Sequence, residues 1–182
     1  MDHPIFLESI RYIQNRLPET GLDPLEQQVL ERLIHSSGDF HVQHLLRFSP
    51  NACQVGINAL LAGAPILTDT RMASAAVAPM AARTINAKVL NILDWAPAKA
   101  PKGLTRAEIG MKRAWQDLSG QNKNECPPIV LFGSAPTALL ALLDLVLKGA
   151  IAPSLVIGMP VGFVGVSESK RKLLISGLSY IA

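Results

Sequence analysis

Beyond Ser49 the chain alternates short apolar runs with helical stretches, and this alternation constrains the fold more than any other feature. Ser49-Pro50 opens a helix running to about residue 62, and Gly63-Ala64-Pro65 turns into a strand at 66–68. A helix through residue 82, a strand at 88–94 and a Pro/Lys loop (Pro97, Lys99, Pro101, Lys102) follow, and then a helix beginning near Thr105. The polar stretch 119–125 reads as a surface connection. A strand at 129–132, a helix at 137–148, a strand at 155–157, a glycine-rich turn and a last helix after Ser167 complete the pattern. Tyr180-Ile181 begins a fifth strand that the chain end cuts short. Short apolar strands separated by helices imply a parallel sheet covered on both faces. The predicted class is therefore a three-layer α/β/α fold with a mainly parallel five-stranded sheet.

Ahead of this core lie two predicted helices. Phe6, Ile10, Ile13 and Leu17 form one apolar stripe, ended by Pro18, with Ser9 at its polar edge. The second starts at Asp23-Pro24-Leu25-Glu26, an acidic cap followed by proline and then by glutamate at the third position. Gly38 stops it. Length favours a single domain over 1–182, with N-terminal helices in 4–37 and an α/β core in 50–182.

Composition removes several function classes. With 49% hydrophobic and 17% charged residues, the chain has the balance of a folded globular protein. Aromatic residues make up 5%, too few for base-stacking platforms, and the net charge of +3 is scattered, so nucleic acid is not the expected partner. A small anionic ligand suits the same charge. The 129–147 span reaches transmembrane length, but Gly133, Pro136 and Asp144 divide it into strand, turn and helix, so no membrane association is expected. No basic-then-apolar leader opens the chain, and Cys53 and Cys126 have neither metal nor C-x-x-C spacing. A cytoplasmic protein with reduced thiols is expected.

Chemistry concentrates in a few segments. Arg32-Leu-Ile-His35-Ser-Ser-Gly38 places a guanidinium and an imidazole one helical turn apart, a pairing suited to an acidic ligand that exchanges a proton. His3, His41 and His44 have no comparable setting. In parallel α/β sheets, ligands gather beyond the carboxyl ends of the strands. Here those ends read Thr68-Asp69-Thr70-Arg71, Gly133-Ser134-Ala135-Pro136-Thr137 and Gly158-Met-Pro-Val-Gly162-Phe-Val-Gly165. Each offers backbone N–H groups or hydroxyls to a carboxylate or phosphate, although ordinary turn chemistry uses the same residues. The dinucleotide and Walker fingerprints, G-x-S-x-G and metal-ligand clusters are missing from the sequence.

The ordered set resembles the precorrin-8X methylmutase family of corrin biosynthesis. The matching pieces are the Ser9 helix, Arg32-Leu-Ile-His35-Ser-Ser-Gly38-Asp39, Phe48-Ser49-Pro50, Gly63-Ala-Pro-Ile66 with Thr68-Asp69 and Met72, and Gly103-Leu-Thr-Arg106. The runs Gly133–Leu139 and Gly158–Gly165, with Glu168-Ser-Lys170, complete it across essentially the whole chain.

The resemblance implies an isomerase that moves a methyl group from carbon 11 to carbon 12 of precorrin-8X or its cobalt form, without a cofactor or a resident metal. It implies a homodimer with active sites near the interface and a polycarboxylate tetrapyrrole as partner. The family's catalytic histidine falls on His35, and its substrate-binding serine and arginine on Ser9 and Arg32. Thr68, Asp69, Arg106, Ser134, Thr137 and Gly162 are the further expected substrate contacts, with the Gly133 and Gly158 turns donating N–H groups. Ser134 stands where the family usually has asparagine. The family's Arg/Gly-rich segment, which completes the fifth strand and another loop at the site, has no counterpart before Ala182. Two other classes remain open: a corrinoid-binding protein without catalysis, and an unrelated α/β enzyme acting on a nucleotide or phosphorylated metabolite through the Gly133 turn.

Overall fold

A computed structural model describes residues 3–121 and 126–182. They form two compact units, Met1–Phe48 and Ser49–Ala182.

The first unit is an antiparallel-type helical pair with a short third helix: α1 (Pro4–Gln14), α2 (Pro24–Ser37) and α3 (Val42–Leu45). The α2 start is a complete capping box. Asp23 Oδ1 accepts from the N–H groups of Leu25 and Glu26 at 2.8 and 2.9 Å, and Glu26 Oε2 accepts from the Asp23 N–H at 3.2 Å. Gly38 ends the helix at φ 69°, a conformation glycine adopts without a Cβ penalty. Ile13 of α1 meets Leu30 and Ile34 of α2 in a small core flanked by Ile10, Leu17 and Phe40. Burying each such side chain contributes about 1.5–3 kcal/mol. The buried Glu31 carboxylate crosses between the helices, accepting from Gln14 Nε2 and Gln27 Nε2 at 2.9 Å each. The helix α1 stops at Gln14, before Pro18.

In the second unit the strands are β1 (Ile66–Thr68), β2 (Val89–Asn91), β3 (Ile129–Phe132), β4 (Leu155–Gly158) and β5 (Tyr180–Ile181). Their order is β2-β1-β3-β4-β5, and all four pairings are parallel. Helices α4 (Ala52–Leu61), α5 (Arg71–Thr84), α6 (Arg106–Gln121), α7 (Pro136–Leu147) and α8 (Val166–Leu174) connect and cover them. Register aligns Leu90, Leu67, Val130, Val156 and Tyr180 in one row across the sheet. That row packs against Met111 and Trp115 of α6, Leu139 and Leu142 of α7 and Leu173 of α8. On the opposite face a Cβ added at Gly56 of α4 would come within 2.9 Å of Leu155 Cδ2, so the small residue lets α4 lie close to β4. The result is the expected three-layer arrangement. The 129–147 apolar span resolves into β3, a turn and α7, and among the described residues no helix is long and apolar enough to cross a membrane.

Two expectations need correcting. The 88–94 strand is shorter, because the Asn91 side chain accepts from the Leu93 N–H at 2.9 Å and turns the chain into a 3₁₀ turn, Ile92–Asp94. The 119–125 connection begins later, since α6 runs through Gln121; residues 122–125 lie outside those described.

Candidate active site

In the N-terminal unit, helix pairing brings the end of α2 against the start of α1. His35 lies in the last turn of α2 and Ser9 in the middle of α1, and both line one cavity of about 540 Å³. Its other walls include Ile5, Glu8, Tyr12 and Phe40. That volume lies within the roughly 300–1,000 Å³ usual for ligand clefts. The imidazole is exposed, so it meets any molecule entering the cleft. Ser9 Oγ donates to the Ile5 carbonyl at 2.9 Å, which leaves the hydroxyl oxygen able to accept. Arg32 lies one turn before His35, outside the cavity lining, with its Cζ 4.6 Å over the Phe6 ring. The Phe6 and His35 ring centroids are 5.0 Å apart with planes at 84°. Sequence reasoning misses Ile5, Glu8 and Tyr12. The three- and four-residue steps from Ile5 to Ser9 to Tyr12 are the signal that could have found the α1 wall.

In the C-terminal unit, the strand ends behave differently from expectation. Thr68 is fully buried. Its hydroxyl donates to the Leu90 carbonyl at 3.0 Å and accepts from Asn91 Nδ2 at 3.0 Å, while Asn91 also donates to Ser74 Oγ at 2.9 Å. This polar network ties β1, β2 and α5 together and gives Thr68 a bracing role within the fold. Asp69 is 1% exposed. Its Oδ1 accepts from the Gly133 N–H at 3.0 Å, and Oδ2 accepts from those of Ser134 and Ala135 at 2.8 and 2.7 Å. The donors of the Gly133 turn, expected to receive a substrate carboxylate, are therefore filled by the protein's own carboxylate. Both residues, expected at the ligand, have their polar side-chain atoms engaged within the fold.

The remaining candidates stay accessible. Thr137 is half-buried at the start of α7, its hydroxyl 2.8 Å from that of Thr105. It borders a second cavity of about 300 Å³ with Glu108, Lys112, Asp144 and Lys172. Ser134 is half-buried, and Arg106 is exposed with its Nε donating to the Pro97 carbonyl at 2.8 Å. Gly162, at φ 135°, sits in the loop after β4, where Val161, Phe163 and Val164 are exposed. Both cysteines are free thiols. Among the described residues no three His, Cys, Asp or Glu side chains gather as a metal site.

Comparison with known proteins decides the family. The family model described as precorrin-8X methylmutase matches residues 4–182. The chain belongs to the precorrin-8X methylmutase family. Members of that family are isomerases of cobalamin biosynthesis. The chain is 35% identical to the cobalt-precorrin-8 methylmutase of Synechocystis over 187 residues, spanning 95% of this chain and 82% of that protein. It is 36% identical to the precorrin-8X methylmutase of Pseudomonas aeruginosa over 173 residues, spanning 93% of this chain and 79% of that one. The crystal structure of the Thermus thermophilus precorrin-8X methylmutase is similar with a TM-score of 0.82 at 38% identity, spanning 97% of this chain and 84% of that one. The α/β architecture thus agrees with that of the Thermus thermophilus structure.

Proposed function

We propose that this methylmutase-family chain moves the methyl group of precorrin-8X, or of its cobalt form, from carbon 11 to carbon 12, and that His35 is the proton-transfer group. The carbon–carbon bond at carbon 11 breaks as the bond at carbon 12 forms, and the ring's conjugated electrons shift to accommodate it. A proton lent by the His35 imidazole polarises the ring and returns afterwards, so atoms and electrons balance without a co-reactant. A positioned acid–base group contributes typically about 10²–10⁴-fold. Holding a rigid polycarboxylate in one geometry supplies the rest. Ser9 serves as a hydrogen-bond partner of the substrate, and Arg32 and Arg106 as cations for its peripheral carboxylates. Ser134, Thr137 and the Gly162 loop add polar contacts. The enzyme works as a cytoplasmic homodimer and 1–182 acts as one functional domain.

The observation that carries this reading is the shared cleft of His35 and Ser9, the two residues onto which the family's histidine and serine fall. His35→Ala tests it. Turnover of precorrin-8X falls by at least about 10²-fold while affinity for the product changes little. Unchanged turnover in the variant refutes the role of His35. A wild-type chain that binds product and turns over nothing is a corrinoid-binding protein instead.

A further inference from the structure

Phe6 lies in the first turn of α1, where its N–H donates to the carbonyl of the cap residue His3 at 2.9 Å. Its ring is half-buried, and it is not among the residues that line the His35 cleft. One ring nevertheless meets both functional side chains of α2. The Arg32 guanidinium carbon stands 4.6 Å over its centroid, and the His35 ring packs against it at 5.0 Å with planes at 84°. We propose that Phe6 is a positioning residue, an aromatic platform that holds the His35 imidazole in its working orientation. The proposal rests on His35 being the proton-transfer group.

The physical case starts from exposure. Arg32 and His35 both lie on the solvent side of α2, where a side chain ordinarily samples several rotamers. Proton transfer needs the imidazole held within hydrogen-bond reach of one ring atom of the substrate. A T-shaped aromatic contact restricts the tilt of the imidazole, because edge-to-face packing favours planes near perpendicular. The face of the same ring carries the Arg32 guanidinium, so the edge contact with His35 and the face contact with Arg32 use different parts of one side chain. Both contacts depend on a helix start that is itself fixed by the His3 cap and by Pro4 at the first helical position.

The positions of the cleft residues separate this role from substrate binding. Ile5, Ser9 and Tyr12 present α1 to the cleft, whereas Phe6 contacts the His35 ring without lining the cleft. Loss of the ring should then lower kcat and leave KM alone, the signature of a misaligned catalytic group.

The experiment compares Phe6→Leu, Phe6→Tyr, His35→Ala and the Phe6→Leu/His35→Ala double variant in steady-state turnover of precorrin-8X. Displacements of about 1 Å cost up to about 10²-fold, so a side chain that gains freedom without leaving the site should cost about 10-fold. Phe6→Leu is expected to lower kcat by about that factor at constant KM, Phe6→Tyr to restore it, and Phe6→Leu to add nothing once His35 is alanine. Proton NMR of the His35 ring adds a check independent of turnover, since removing the neighbouring ring current shifts its resonances in Phe6→Leu and not in Phe6→Tyr. Wild-type kcat in Phe6→Leu beside a crippled His35→Ala overturns the positioning role and leaves the His35 reading intact. An equal fractional loss from Phe6→Leu with and without His35 marks a merely structural residue and also overturns it. Full turnover in His35→Ala fails the underlying reading, and the positioning role with it.

Discussion

Replacing Asp69 by asparagine keeps the shape of the side chain and removes its ability to satisfy three donors. In the native chain Oδ2 receives two N–H groups, from Ser134 and Ala135, and Oδ1 receives one, from Gly133. An amide has one acceptor atom. Its best placement keeps the oxygen at the Oδ2 position, so the NH₂ group faces the Gly133 N–H, donor against donor, where 3.0 Å separates the atoms today. One bond to a charged group, worth about 1.5–3 kcal/mol, is lost outright. The other two weaken, since charge-assisted bonds are roughly twice as strong as neutral ones. Relief of the burial cost of the charge offsets part of this. A net loss of about 3 kcal/mol follows, which at about 2–4 °C per kcal/mol for a chain of this size lowers the melting temperature by about 6–12 °C. Differential scanning calorimetry of Asp69→Asn measures it. A melting temperature within about 1 °C of wild type, with a raised KM for precorrin-8X, would refute the bracing role and return Asp69 to the substrate.

Two further outcomes follow from packing and charge. A Cβ at Gly110 of α6 would stand 2.4 Å from the Ile92 carbonyl oxygen and 3.3 Å from Ala96 Cβ. Because the obstacle is backbone, Gly110→Ala should cost about 3 kcal/mol, the upper end of ordinary overpacking, and an unchanged urea midpoint would contradict that close approach. On α8, the hydrogen bond and charge of Lys172, 2.9 Å away, hold the Glu168 carboxyl below its ordinary value of 4.5. A depressed folded value means that the pair stabilises above the ordinary value and that this contribution fades as pH falls through the folded one. Glu168→Gln should therefore lower thermal stability slightly at neutral pH and low salt, with no difference in acid or in high salt; a difference that persists in acid contradicts the pairing.

What could be read from the sequence was local. Asp23, Pro24 and Glu26 announce the start of α2 because a capping box is completed within four residues, and Gly38 announces its end because only the residue itself must adopt positive φ. The strand-and-helix alternation predicts the layered sheet because each apolar run has to be covered on both faces. Asn91 defeated the length of β2, since a side chain that accepts from the backbone two residues later looks the same in sequence as one that does not. Phe6 was legible as part of an apolar stripe, but its contact with Arg32 and His35 depends on how α1 meets α2. Arg32 and His35 could be placed one turn apart, whereas the cleft joining His35 to Ser9 could not.

Asp69 illustrates the deeper difficulty. At the end of a parallel strand, a carboxylate that meets a ligand and one that meets its own fold occupy the same sequence position. The distinction is made 64 residues away, where β3 ends and the Gly133 turn presents its N–H groups. The Asp69 N–H, donating to the Leu131 carbonyl at 3.1 Å, carries the β1–β3 ladder one residue past the strand and aims the side chain at that turn. The inward arrangement also removes an electrostatic objection. A polycarboxylate substrate would be repelled by an acid facing it, since like charges held close in a site of low dielectric disfavour binding. With both Asp69 oxygens engaged by backbone donors, Ser134 belongs to a turn, leading into Thr137 of α7, whose conformation is held by a charge that need not meet the substrate at all. An aspartate at this strand end is thus compatible with the proposed polycarboxylate substrate because its charge is answered from within.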